Sequence, residues 1–213
     1  MKRVVAEDYG LWELAVLSLL RERPMHPYEI QQVLQERHKD DVLALKKGSL
    51  YHAIRRLGAA ELITAHATTR QGRRPERTVY RITPEGRAAL KDWLRHHVAI
   101  PRPERSHFMG AVSFLVHLSP GEAAAALKER AAALQRQIAG YDATLAHRTS
   151  EVGRVNLIET EFARAMRAAE LAWVRRSVAE LRTGRLHWDL AVILHEVRAA
   201  AGRKKERKRT RSS

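Results

Sequence analysis

The chain predicts a mainly α protein: a winged helix-turn-helix domain of three helices and a two-stranded wing, followed by a long-helix dimerisation domain. Three observations carry this. Short amphipathic segments succeed one another in the first sixty residues, a segment of two-residue period with a Gly- and Pro-containing tip follows them, and a heptad seam runs through the second half.

The first helix is expected from about Asp8 to Arg21, with Leu11, Leu14, Ala15, Leu17, Ser18 and Leu20 forming a broad inward face. Pro24-Met25-His26-Pro27 breaks it. Pro27, suited to a first helical turn, opens a second helix in which Tyr28, Ile30, Val33 and Leu34 alternate with polar residues until Asp40 and Asp41. Val42 to Leu45 reads as a brief extended piece, and Lys46-Lys47-Gly48-Ser49 supplies charge, a joint and a capping hydroxyl for the third helix.

That third helix, Gly48 to Leu57, is the most informative stretch. At about 100° per residue, Leu50, Ala53, Ile54 and Leu57 share one arc, and Tyr51, His52, Arg55 and Arg56 occupy the rest, with Ser49 at the entrance. A phenol, an imidazole, a hydroxyl and two guanidinium forks are groups that reach base edges and phosphates in a major groove. Beyond it, Leu62 to Thr69 and Arg77 to Thr83 bracket a tip containing Gly72, Arg73, Arg74 and Pro75, which reads as a hairpin. A recognition helix followed by a basic hairpin places one reader in the major groove and the other on a neighbouring backbone or minor groove. The expected DNA contacts are Lys46, Lys47, Ser49, Tyr51, His52, Arg55, Arg56, Arg73, Arg74 and Arg77.

Thr83-Pro84-Glu85-Gly86 opens a fourth helix, with Leu90, Trp93, Leu94 and His97 on one stripe. The expected domain boundaries are 1–97 for DNA binding, 98–106 as a Pro-containing linker, 107–201 for the helical domain and 202–213 as a disordered basic tail. In the helical part, Leu127, Ala131, Leu134, Ile138, Tyr141 and Leu145 recur at heptad spacing from Pro120 to Arg148. This seam fits either an intrachain helical hairpin or a contact between subunits. A second long helix is expected over 154–182 through Ile158, Phe162, Ala165, Ala169, Trp173 and Leu181, after a break near Ser150 to Gly153. A shorter one follows from Leu186 to Ala200.

Bulk composition bounds the function. The 213 residues carry a formal net charge of +15 and no cysteine, which excludes disulfide scaffolds, thiolate zinc sites and thiol catalysis and fits a cytoplasmic protein. Residues 1–97 hold 18 basic and 12 acidic groups, 98–201 hold 14 and 11, and 202–213 hold 7 and 1, so the excess sits with the recognition helix and the tail. Such a distribution suits a polyanion binder. The apolar run from Leu14 to Leu20 is far shorter than the ~20 residues of a membrane span, and no membrane partner is expected. Glycines never lie closer than ten positions, so no phosphate-cradling loop is present, and no histidines pair at i,i+3 or i,i+4. Glu159, Glu161 and Glu170 read as surface charge rather than catalytic acids, and neither an enzyme nor a cofactor is expected.

Pro24-Met25-His26-Pro27-Tyr28-Glu29-Ile30, the Gly48–Leu57 helix and Tyr80-Arg81-Ile82-Thr83-Pro84-Glu85-Gly86-Arg87 resemble the PadR-like transcriptional regulators, over roughly residues 10 to 97. Pro27 departs from the family's usual Gly, and His52 from its frequent Pro. The second half resembles that family's C-terminal domain in pattern only. The resemblance implies a homodimeric regulator, usually a repressor, that binds an inverted-repeat operator in double-stranded DNA and sometimes leaves it on binding a small molecule. Its C-terminal helices hold the dimer, so Leu127, Leu134, Ile138, Tyr141, Leu145, Phe162 and Trp173 are the expected dimerisation residues. A two-fold dimer presents its recognition helices on the order of 34 Å apart, or a multiple of that. Trp12, Trp93, Trp173 and Trp188 serve core packing or line a cavity for a small aromatic effector. Two rivals stand beside this reading: a nonspecific nucleoid-type DNA binder, and a protein-interaction module with an incidental basic face.

Overall fold

The computed structural model describes residues 9–37, 39, 47–69, 77–101 and 106–210. The chain divides into two compact units, 1–103 and 104–213.

In the first unit, α1 (Leu11–Glu22), α2 (Pro27–Glu36) and α3 (Lys47–Ala59) pack around Leu17, Ile30, Leu50 and Leu57, all buried. Each start has a local cause. His26 Nδ1 accepts the Tyr28 N–H at 3.1 Å ahead of Pro27 at the first helical position, and Thr83 Oγ1 accepts the Gly86 N–H at 3.0 Å at the head of α4 (Pro84–Ala99). The ends of α1 and α2 are clamped where Arg37 donates to both oxygens of Glu22 at 2.6 and 2.7 Å, which holds the Glu22 carboxyl below its ordinary pKa.

Strands β1 (Ile63–Thr69) and β2 (Arg77–Ile82) pair antiparallel, Ile63 opposite Ile82 and Thr69 opposite Arg77, with a bulge between Ala65 and Ala67. Met25 adds a bridge to Tyr80 through two backbone hydrogen bonds of 3.1 and 3.0 Å. No alternation in the sequence signals this bridge, because a single residue has no period.

The joint between α3 and β1 positions the hairpin. Leu62 N–H donates to Leu57 O and Glu61 N–H to Gly58 O, both at 3.0 Å, the paired closure that ends a helix through a left-handed residue. That residue is Glu61, at φ 58°. Thr83 Oγ1 lies 3.0 Å from the carbonyls of both Glu61 and Leu62, tying the base of the hairpin to the end of α3. Gly86 closes the joint: a Cβ there would overlap the Leu62 carbonyl oxygen.

In the second unit, α5 (His107–Val112) and a 3₁₀ turn (Leu115–His117) precede α6 (Pro120–Val152), whose start carries a reciprocal Ser119–Glu122 capping box. Gly153 at φ 75° and a 3₁₀ turn (Arg154–Leu157) reverse the chain into α7 (Ile158–Arg182), and α8 (Leu190–Thr210) ends the described chain. Leu127 and Leu134 of α6 bury against Leu171, Val174 and Leu181 of α7, with Ala131 and Ile138 packed on the same cluster. Polar ties flank it: Arg130 Nε donates to Glu170 Oε1 at 2.6 Å, and Arg164 Nε to Asp142 Oδ1 at 2.7 Å.

Leu127 and Leu134 are buried within the chain and Ile138 packs beside them, the intrachain one of the two arrangements that the heptad seam allows. The short turn after Val152 makes α7 the nearest partner, so the seam closes intramolecularly at low loop entropy. One expectation is corrected: the basic tail expected to be disordered is helical, with α8 continuing to Thr210. Ala199 to Ala201 and the Arg, Lys and Glu of 203–209 are good helix formers that carry the helix past Gly202, with no proline among them.

Replacing Glu61 by Gly relieves the left-handed strain at the α3–β1 joint. It is expected to raise the unfolding free energy of the first unit by about 0.5–1 kcal/mol, read by urea denaturation; a lowered value would show the turn to be unstrained.

Candidate nucleic-acid interface

The arc opposite the α3 core is open. Tyr51 is 56% exposed, His52 and Arg55 are exposed, and Ser49 is half-buried, while Leu50, Ala53, Ile54 and Leu57 are the buried face. Tyr51 and Arg55 stand four residues apart, so phenol and guanidinium project from one side of the helix. Lys47 and Arg77 are the first residues of α3 and β2. Lys46, Arg73 and Arg74 lie outside the described residues.

Arg56, one of the expected DNA contacts, is engaged within the domain. Its Nη1 lies 3.0 Å from Glu13 Oε1, and its guanidinium carbon sits 4.7 Å from the centre of the Tyr9 ring. The Glu13 side chain is only 6% exposed, and its other oxygen accepts the Gly10 N–H at 3.0 Å. Tyr9 in turn stacks on the buried Trp93 of α4 at 4.4 Å between ring centres. A continuous set of contacts therefore runs from α3 through α1 to α4. Arg56 pairs with Glu13 while its own side chain stays 39% exposed, and Arg55 is exposed on the outer arc. An acidic residue amid the apolar face of the first helix, Leu11 to Leu20, is the sequence signal for this buried anion.

Among the expected dimerisation residues, Tyr141 and Leu145 are half-buried on α6, but Phe162 and Trp173 stand on the outer side of α7 at 66% and 37% exposure. Ile158 and Met166 extend that side at 60% and 54%. Met166 completes an apolar stripe that the heptad reading of α7 passes over. The other tryptophans are committed to packing: Trp93 is buried, Trp12 lies against the same core, and Trp188 Nε1 donates to Leu118 O at 2.8 Å.

A helix-turn-helix core, a hairpin tied to its third helix and an outward Tyr51–Arg55 face form the setting for the decisive match: residues 16–92 fit the model of the Transcriptional regulator PadR-like family. The match spans residues 16–92 and no other part of the chain. The chain is similar to the negative transcriptional regulator PadR of Bacillus subtilis, 31% identical over 116 residues, which cover 54% of this chain and 63% of that relative. The crystal structure of Bacillus subtilis PadR in complex with operator DNA shares the fold at a TM-score of 0.66 and 22% identity, covering 81% of this chain and 99% of that one. The same protein in complex with p-coumaric acid matches at 0.67 and 19%, with the same coverage. The likeness thus extends beyond the PadR-like domain into the helical unit as fold.

Replacing Glu13 by Gln removes the anion that faces Arg56 while leaving an oxygen for the Gly10 N–H. A loss of about 1–3 kcal/mol in unfolding free energy is expected, and an unchanged denaturation midpoint would mean that the pair does not hold α3.

Proposed function

We propose that this protein is a homodimeric DNA-binding transcriptional regulator that represses by occupying an inverted-repeat operator and is released by a small aromatic effector. It does no catalysis in this reading and works in the cytoplasm. The observation that carries it is the outward Ser49–Tyr51–His52–Arg55 face on the third helix of a PadR-like domain. Arg55 and Tyr51 contact bases and phosphates from the major groove, Ser49 with Lys46 and Lys47 anchors the helix entrance, and Arg73, Arg74 and Arg77 work from the hairpin. Arg56 acts indirectly, by holding α3 against α1.

Repression and the effector are carried over from the relative, which is named a negative regulator and is known in complexes with operator DNA and with p-coumaric acid. A planar carboxylic acid with an aromatic ring is accordingly the ligand class to titrate first. Among the described residues no helix is long and apolar enough to cross a membrane, which suits a protein that must reach DNA.

The dimer is proposed through α7, where Ile158, Phe162 and Met166 form an exposed apolar stripe beside Trp173, whose ring packs edge-on against Phe108. Phe162→Glu places a charge in that stripe. It is expected to convert a dimer into a folded monomer in sedimentation, with helical content by circular dichroism unchanged; a dimer that survives the change would move the contact elsewhere.

Selection of bound fragments from genomic DNA by the purified protein at ~150 mM salt tests the regulator reading, since nonspecific affinity falls steeply by then. Enrichment of one inverted repeat supports it, whereas binding that vanishes with salt and enriches nothing favours the nucleoid-type rival that the basic C-terminal residues suggest. On the enriched repeat, Arg55→Ala is expected to cost about 1–3 kcal/mol and relax preference at one position of each half-site. Unchanged affinity and preference would remove Arg55 from the interface.

A further inference from the structure

The PadR-like domain carries a second basic surface away from the arc of α3. Two adjoining concavities of about 430 and 510 Å³ are lined by the end of α1, strand β2 and the first half of α4, and share Arg21, Pro84 and Arg87. Arg21, Arg81, Arg87 and Lys91 are exposed on these walls and make no ion pair with a described residue. Acidic groups there are already engaged: both oxygens of Glu22 accept from Arg37, and Asp92 accepts from Arg95 at 2.9 Å.

Four uncompensated cations in one concave region repel one another, and Arg87 and Lys91 do so at the i,i+4 spacing that weakens a helix. An anion bound there relieves that repulsion. The site has no deep polar cradle for one small ion; its cations are spread along a line. Four residues of α4 advance about 6 Å, and a duplex strand presents one phosphate per ~3.4 Å of axis, so Arg87 and Lys91 together span nearly two phosphate intervals, a reach suited to a strand of phosphates rather than to a single anion. Thr64 and His66 on the exposed face of β1 border the same concavity and add side-chain donors of the kind that phosphate oxygens accept.

We propose that this surface binds the phosphate backbone of duplex DNA flanking the operator. The inference rests on the DNA-binding reading above and extends it. DNA is the occupant that charge complementarity favours, because an operator held by α3 keeps its own flanks at high local concentration beside the domain. The surface then adds affinity and salt dependence without reading sequence.

The test compares the full-length wild type with Arg87→Ala/Lys91→Ala by fluorescence anisotropy from ~50 to ~200 mM salt, at matched melting temperatures. Two duplexes carry the selected repeat: one of about 20 base pairs, limited to the two half-sites, and one extended by about 20 at each end. The wild type is expected to bind the extended duplex more tightly, with a log–log salt slope steeper by about two phosphate contacts, and the variant to treat both duplexes alike. A variant unchanged on the extended duplex overturns the proposal. So does an equal loss on both duplexes, which would assign these cations to the operator contact itself. A wild type that prefers no repeat over a scrambled duplex, yet keeps the length-dependent slope, overturns the regulator reading and supports this surface.

Discussion

The buried carboxylate of Glu13 is the constraint that joins α3 to the rest of the first unit. A carboxylate at 6% exposure is tolerable only when its oxygens are satisfied, and here one is taken by the Gly10 N–H and the other by Arg56. The pairing ties α3 to α1 at Arg56, in the same orientation that burial of Leu50, Ala53, Ile54 and Leu57 imposes. Once that is set, Tyr51 and Arg55 are aimed outward by helical geometry alone. Tyr9, lying under the Arg56 guanidinium and over Trp93, carries the same constraint to α4. Polar and apolar contacts thus agree on one orientation of the helix.

The helical unit meets a different demand, since α7 is apolar on two sides. One side, through Leu171, Val174 and Leu181, closes the hairpin with α6, while Ile158, Phe162 and Met166 face outward. Packing two helices of 33 and 25 residues side by side buries one stripe from each, and a second stripe on one of them has nothing left to cover it. The hairpin is therefore stable enough to form within one chain and still incomplete as a surface.

The first unit is legible in the sequence to the extent that its signals are local. The α3 burial pattern follows from the spacing of Leu50, Ala53, Ile54 and Leu57, and the starts of α2 and α4 follow from a capping side chain before proline. The role of Arg56 is not legible from its own helix: in spacing it belongs to the outer arc, and only the distant Glu13 draws it inward. The left-handed Glu61 is hidden for a similar reason, as no glycine marks the turn. The heptad on α6 reveals that a partner exists but not which one, and the short reversal at Gly153 decides in favour of α7. Met166 is missed because a single period assigned to α7 describes only one of its two stripes.

The Thr83 hydroxyl, shared between the carbonyls that end α3 and the N-terminus of α4, has a mechanical meaning. It ties the hairpin base to the end of α3 and so sets the opening between the two. In the DNA-binding reading proposed above, part of the adjustment to a groove then falls on the DNA, whose stiffness varies from step to step. Sequences already shaped to that opening would be gripped without deformation, and discrimination would extend to base pairs that no side chain touches.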